Sequence, residues 1–202
     1  MSLVPPRAAT GIRGGLAPLA RWLHRAGVGA NTVTIVGLLL TALGAALLGG
    51  GQPAPALIVL LIGTLADTLD GQVAKAAGGG TKFGAFLDST ADRISDAILI
   101  GAAVVYAAHR DDTFLFWGAL IALVSGSLVP YIRAKAESLG LTASVGFTPR
   151  EARLLLFVLG VAAWAISGNS QLFAVAVAVI AFLATVTAVQ RIAHVASALK
   201  NT

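Results

Sequence analysis

Two neighbouring apolar runs, 55–77 and 82–108, are each long enough to cross a bilayer, yet between them they carry Asp67, Asp70, Asp88 and Asp92. In hydrocarbon a backbone has to satisfy its own hydrogen bonds, so such runs fold as helices. An ionisable side chain at that depth costs roughly 2.5–3.5 kcal/mol on insertion scales. Four carboxylates held together also repel one another unless cations stand between them.

The spacing gathers these acids. Asp67 and Asp70 are three apart and Asp88 and Asp92 four apart, so each pair shares one face of a helix. Gly78, Gly79 and Gly80 punctuate the stretch, which predicts a helical hairpin. At ~1.5 Å rise per residue, Asp70 and Asp88 lie roughly 12 Å from the turn, and Asp67 and Asp92 roughly 17 Å from it. The pairs then face each other at matched depth. All-oxygen ligation suits a hard divalent cation, Mg²⁺ or Mn²⁺. Four carboxylates at this spacing can hold two ions, an arrangement suited to phosphoryl chemistry. Gly71, Ala74 and Gly84 repeat at helical intervals beside the acids. Their small side chains leave a slot for a bulky ligand, or let helices pack closely.

Composition agrees with a membrane protein. The 202 residues are 57% hydrophobic and 11% charged, against about 25% charged in soluble domains. There are no cysteines, which excludes disulfides, thiolate metal sites and cysteine nucleophiles. Apolar runs at 32–50, 55–77, 82–108, 113–136, 151–167 and 171–195 read as six spans, each near the ~20 residues that a bilayer core requires. Residues 1–30 are too charged to cross, and alternate Arg7, Arg13, Arg21 and Arg25 with Ile12, Leu16, Leu19 and Trp22. They read as a basic amphipathic helix on the membrane surface, with Pro5 and Pro6 at its start; a signal peptide would need an uninterrupted apolar stretch. The fold class is therefore all-α integral membrane: an N-terminal juxtamembrane helix (1–30), then a six-helix transmembrane domain (31–202). Placing the amino terminus inside puts nearly every Lys and Arg on the cytoplasmic side, with Arg110 outside. The aspartates then lie in the cytoplasmic half of the cell membrane. The net charge of +5 reflects these basic ends facing anionic lipid, and no nucleic-acid partner is expected.

The pattern D-x2-D-G-x2-A-K-x8-G-x3-D-x3-D, from Asp67 to Asp92, resembles the motif of the CDP-alcohol phosphotransferase family. The family usually has Arg where this chain has Lys75, which keeps the charge but loses the planar fork. The start of the first span, A-N-T-V-T, is similar to the family's P-N-x-V/I-T, with Ala30 in place of proline. The resemblance implies a CDP-linked lipid such as CDP-diacylglycerol as donor, an alcohol as acceptor and CMP as leaving group. It implies that Asp67, Asp70 and Asp88 hold one Mg²⁺ and that Asp67, Asp88 and Asp92 share a second. Asp92 is the implied catalytic base. Gly71, Ala74, Lys75, Thr81 and Gly84 line the nucleotide slot, and Asn31, Thr32, Val33 and Thr34 meet the nucleotide end. Asn31 also suits a helix cap; the two roles are compatible. A homodimer among membrane lipids is implied too.

The stretches Y-I-R-A-K-A-E (131–137), G-F-T-P-R-E-A-R (146–153) and G-G-G-T-K-F-G-A-F-L-D-S-T-A-D-R-I-S-D (78–96) resemble the bacterial phosphatidylinositol-phosphate synthase branch of that family. There the acceptor is myo-inositol phosphate, and Lys135, Arg153 and Arg191 match phosphate-binding positions; Arg133 lies beside them. Taken one at a time, these basic residues read as topology signals and snorkelling side chains. A branch using glycerol 3-phosphate is the nearest rival. From other classes, an intramembrane prenyltransferase would carry its acidic motifs on more distant helices, and a cation transporter would need polar groups in both halves of the bilayer. His24, His109 and His194 are too scattered for a metal site. Arg93 and Asp96 read as pairing with neighbours or ordering the site. Asp92→Asn is expected to abolish phosphatidyl transfer while leaving CDP-lipid binding measurable; substantial remaining turnover would remove Asp92 as the base.

Overall fold

The computed structural model describes residues 6–143, 145, 146 and 148–200. Residues 1–5 with Pro5, the side chains of Arg7, Ile12 and Arg13, Phe147, and residues 201–202 lie outside the described residues. The described residues form seven helices: α1 (Pro6–Arg25), α2 (Ala30–Gly49), α3 (Pro53–Ala76), α4 (Lys82–His109), α5 (Thr113–Ser138), α6 (Arg150–Ser167) and α7 (Ser170–Lys200). Four of them, α2, α3, α5 and α7, are long and apolar enough to cross a membrane. The other two helices of the domain carry charge: α4 bears the second aspartate pair, and α6 opens on Arg150, Glu151 and Arg153. The last helix runs past its apolar stretch to Lys200.

Pairwise packing runs around a ring: α2 against α4, α4 against α5, α5 against α7, α7 against α6, α6 against α3, and α3 back against α2. The hairpin helices α3 and α4 scarcely touch each other, because α2 lies against both. This refines the hairpin expected from sequence. The turn is where the glycines predicted it, with Gly78 at φ 92° and Gly79 at φ 130°. A side chain would be strained at both angles. From this turn the helices diverge and leave a cleft. Because successive helices alternate in direction, the start of α2, the end of α3, the starts of α4 and α6 and the ends of α5 and α7 share one end of the bundle.

The main apolar core lies toward the other end. Leu48, Leu115, Phe173, Val161 and Val177 are buried there. Trp164 stacks on Phe173 with ring centroids 5.8 Å apart, and Phe157 meets Phe173 edge-on at 5.3 Å. A smaller cluster joins Ala20 of α1 to Val33, Leu69 and Val73, with Leu16 and Leu23 beside it. Thus α1 uses its apolar face to cover the ends of α2 and α3 next to the acids. Large apolar side chains such as Leu39, Ile58, Leu61, Ile166 and Phe182 point outward, as a lipid-facing belt requires.

At one contact, α6 and α7 approach closely through a glycine. A methyl group on Gly160 would stand 2.7 Å from Ala176 Cβ and 3.3 Å from Phe173. Both neighbours belong to a packed helix and cannot simply rotate away. Gly160→Ala is expected to cost about 1–3 kcal/mol, seen as a lower unfolding temperature in detergent; unchanged stability would mean that α6 and α7 can separate freely.

Candidate active site

At the shared end of the bundle, three of the four motif aspartates converge. Asp67, Asp70 and Asp88 each offer a carboxylate oxygen, and these oxygens lie within 4.8 Å of one another. Asp67 and Asp88 are exposed to the cleft, whereas Asp70 is buried. Asp70 is held from behind: the Thr34 hydroxyl, on the first turns of α2, donates to its Oδ2 at 2.6 Å. The Ala30 carbonyl, 3.1 Å from the same hydroxyl, is the competing acceptor. Among the described residues none of the three acids has a salt-bridge partner. Three clustered, unpaired carboxylates offering only oxygen fit a hard divalent cation.

The fourth acid turns elsewhere. Asp92 Oδ1 forms a salt bridge with Arg150 Nη1 at 2.9 Å, and its Oδ2 lies 3.6 Å from Arg93 Nη2. The same Arg150 donates from Nε to Asp96 Oδ1 at 3.0 Å. Asp96 Oδ2 is also 4.0 Å from Arg153 Nη2. A chain of alternating charges therefore runs Asp92, Arg150, Asp96, Arg153 along the facing sides of α4 and α6. Arg150 is also within electrostatic reach of Asp67. A small cavity of about 30 Å³, lined by Thr41, Thr64, Asp67, Ser95 and Arg150 among others, lies beneath.

The residues expected around the nucleotide divide by role. A methyl group added to Gly71 would meet nothing within 4 Å, so this position does leave room beside Asp67 and Asp70. At Gly84 a methyl would stand 3.2 Å from Thr81 Oγ1 and 3.3 Å from Asn31 Oδ1. There the glycine lets the start of α4 approach the start of α2. The Thr81 side chain is the N-cap of α4, accepting from Gly84 N–H at 2.9 Å. Asn31 is not a helix cap: Gly29 holds that position on α2, and no side chain bonds there. The physical reason is that α2 begins two residues earlier than such a cap requires, at Ala30. Asn31 is half-buried, Thr32 exposed, Val33 and Thr34 buried, Ala74 half-buried and Lys75 exposed.

The expected acceptor residues also gather, unevenly. Arg153 is buried, and its Nη1 donates to the Thr148 carbonyl at 3.3 Å. Arg93, Arg150 and Arg191 are its cationic neighbours. Arg191 bridges α7 to the loop before α6 and to α5, through Nε to the Val145 carbonyl at 2.9 Å and Nη1 to the Val129 carbonyl at 2.8 Å. Arg133 is exposed and paired with Glu137 at 2.9 Å, and Lys135 is exposed on the same helix end. Among the described residues, the Thr148 hydroxyl is the one buried side-chain polar atom without a hydrogen-bond partner. Sequence reading counted Arg150 only as a topology signal and passed over Thr148. Asp96 carried one usable signal, its place four residues after Asp92 on the same helix face.

Known proteins are similar to this chain in sequence and in fold. The family model described as CDP-alcohol phosphatidyltransferase matches residues 28–195. The phosphatidylinositol phosphate synthase of Mycobacterium tuberculosis is 41% identical over 145 residues, which span 71% of this chain and 67% of that protein. The phosphatidylinositol phosphate synthase of Streptomyces avermitilis is 34% identical over 188 residues, 89% of this chain and 77% of that one. The crystal structure of the M. tuberculosis synthase with CDP-DAG bound superimposes with a TM-score of 0.83 at 35% identity, covering 89% of this chain and 92% of that chain. Its complex with manganese and citrate gives the same TM-score at 34% identity, covering 89% and 88%.

Partners of metal ligands typically carry a 10–100-fold share of affinity. Thr34→Val, which removes the hydroxyl behind Asp70, is expected to weaken Mn²⁺ binding by about that factor in a calorimetric or paramagnetic titration. An unchanged Kd would mean that Asp70 is oriented without Thr34.

Proposed function

The chain belongs to the CDP-alcohol phosphatidyltransferase family, and we propose that it transfers the phosphatidyl group of CDP-diacylglycerol to myo-inositol phosphate, yielding phosphatidylinositol phosphate and CMP. The observation that carries this reading is the three-carboxylate cluster at the same end of the bundle as the buried Arg153 and the orphaned Thr148 hydroxyl. The relatives named phosphatidylinositol phosphate synthase support the choice of acceptor.

Asp67, Asp70 and Asp88 would hold one Mg²⁺ or Mn²⁺, and Asp67, Asp88 and Asp92 a second. Bound divalent ions would neutralise the donor pyrophosphate and the charge that builds on departing CMP. The chain's own residues do the rest. The open space beside Gly71 admits the pyrophosphate end of the donor, and the start of α2 lies against it. Asp92 accepts the proton of the acceptor hydroxyl as that oxygen bonds to the phosphorus bearing the diacylglycerol. The bond from this phosphorus to the bridging oxygen breaks, and the electron pair leaves with CMP. Arg153 and Arg191, with Lys135 and Arg133 at the rim, attract the acceptor's phosphate. Arg153 has one carbonyl and one distant carboxylate for its donors, so an anion there would complete its hydrogen bonding.

The reading extends to the membrane. We place all six helices α2 to α7 across it, with α1 on the cytoplasmic surface and the cleft open to the cytoplasm. On α4 and α6, Asp92, Asp96, Arg150 and Arg153 pair with one another across the two helices, which is how a spanning helix tolerates charge. The outward apolar side chains leave ample surface for a homodimer.

The test is an assay of purified protein with CDP-diacylglycerol, Mn²⁺ and either inositol phosphate or glycerol 3-phosphate. Turnover with inositol phosphate is expected, and Arg153→Gln should raise its KM by at least about 10-fold. Turnover with glycerol 3-phosphate alone would overturn the acceptor assignment.

A further inference from the structure

We propose that Arg150 is a positioning residue for the transfer reaction: it fixes the Asp92 carboxylate where the acceptor hydroxyl meets it, and Asp96 ties that arrangement to Arg153. The proposal rests on the functional reading above, in which Asp92 is the base and Arg153 binds the acceptor's phosphate.

Three observations carry it. The first is location. Arg150 is the first residue of α6, the end of a helix where the backbone dipole disfavours a cation. Its partners repay this: two carboxylates of another helix, Asp92 and Asp96, at 2.9 and 3.0 Å. The second is the shape of the contact. Two different nitrogens of one planar guanidinium reach two carboxylates one helical turn apart. A lysine ammonium is a point charge on a flexible stem and cannot reproduce this span. The third is the asymmetry at Asp92. Oδ1 is pinned by Arg150, whereas Oδ2 has only the exposed Arg93 arm at 3.6 Å. Oδ2 is therefore the oxygen free to take the acceptor's proton, and Arg150 determines where it points.

Asp96 extends the arrangement. One of its oxygens holds Arg150, and the other is 4.0 Å from Arg153. The carboxylate that receives the proton and the arginine that binds the phosphate are thereby registered through two intermediates on rigid helices. The loop before α6 is held in turn, since Arg191 binds the Val145 carbonyl. Neither Arg150 nor Asp96 belongs to the three-carboxylate cluster, so the ion that Asp67, Asp70 and Asp88 would hold does not require them.

The test compares wild type with Arg150→Gln, Arg150→Lys and Asp96→Asn in detergent, reading kcat, acceptor KM, and the Kd for Mn²⁺ and for CDP-diacylglycerol. Arg150→Gln is expected to lower kcat about 100-fold, the scale of a misplaced general base, while acceptor KM and the CDP-diacylglycerol Kd stay within about 3-fold; the Mn²⁺ Kd is expected to weaken only at the ion that Asp92 would share. Arg150→Lys, which keeps the charge and one bond, is expected to recover about 10-fold of that loss. Asp96→Asn is expected to lower kcat and also raise acceptor KM, because it serves both arginines. Unchanged kcat in Arg150→Gln overturns the proposal. So does a raised acceptor KM at unchanged kcat, which would make Arg150 an acceptor ligand, or a parallel loss of both Kd values, which would make it structural. If Arg150→Gln does not fold, Arg150→Lys carries the same comparison, and wild-type kcat in it overturns the proposal. A wild type inactive with both phosphorylated acceptors overturns the functional reading and this proposal with it; an active wild type with unaffected variants overturns this proposal alone.

Discussion

Carboxylates cannot be crowded between membrane helices without something to offset their charge, and the rest of this molecule is arranged around that need. The five aspartates of α3 and α4 divide into two groups. Asp92 and Asp96 are offset by arginines, chiefly Arg150. Asp67, Asp70 and Asp88 are left without a salt bridge, their oxygens within 4.8 Å of one another. A divalent cation is the partner that this second group fits. In a low-dielectric setting an unpaired cluster is costly, so the same arrangement that makes the fold dependent on compensation makes the site receptive to ions and to the anionic groups they bind.

The ring of helices explains how the cleft stays open. Because α2 lies against both α3 and α4, the two acidic helices meet only through their side chains near the glycine turn. Gly84 permits α4 to come close to Asn31, while Gly71 keeps space clear beside Asp67 and Asp70. Thr34 reaches from α2 to orient the buried Asp70. The aromatic pair of Trp164 and Phe173 anchors α6 and α7 toward the other end, while Phe157, edge-on to Phe173, reaches the small cavity beside Asp67 and Arg150. Rigid elements thus carry every group that the chemistry uses.

Several of these features were legible in the residue order. The intervals between the aspartates put each pair on one helix face, and Gly78 and Gly79 marked the turn. Helix boundaries fell within about five residues of the apolar runs because those runs are bounded by glycine, proline and charge. Asn31 illustrates the limit: its residue type suits a cap, but the helix begins at Ala30 and Gly29 takes that position. Thr81, expected beside the nucleotide, is also the cap of α4, a role its residue type alone did not single out. Arg150 illustrates it further. Nothing in a lone arginine some fifty residues after Asp96 says that the two touch.

What the sequence by itself determined is periodic and local: helices spanning hydrocarbon, acids paired on a face, a turn that only glycine tolerates, and the chemistry that clustered oxygen ligands favour. Those follow from the rise of a helix and the cost of burying charge. What only the tertiary structure decided is which groups meet across helices. It brought three of the four acids together and turned the fourth toward α6. That choice depends on α2 standing between α3 and α4 and on α6 closing the ring against α3, and contacts between distant segments leave no period in the chain to read.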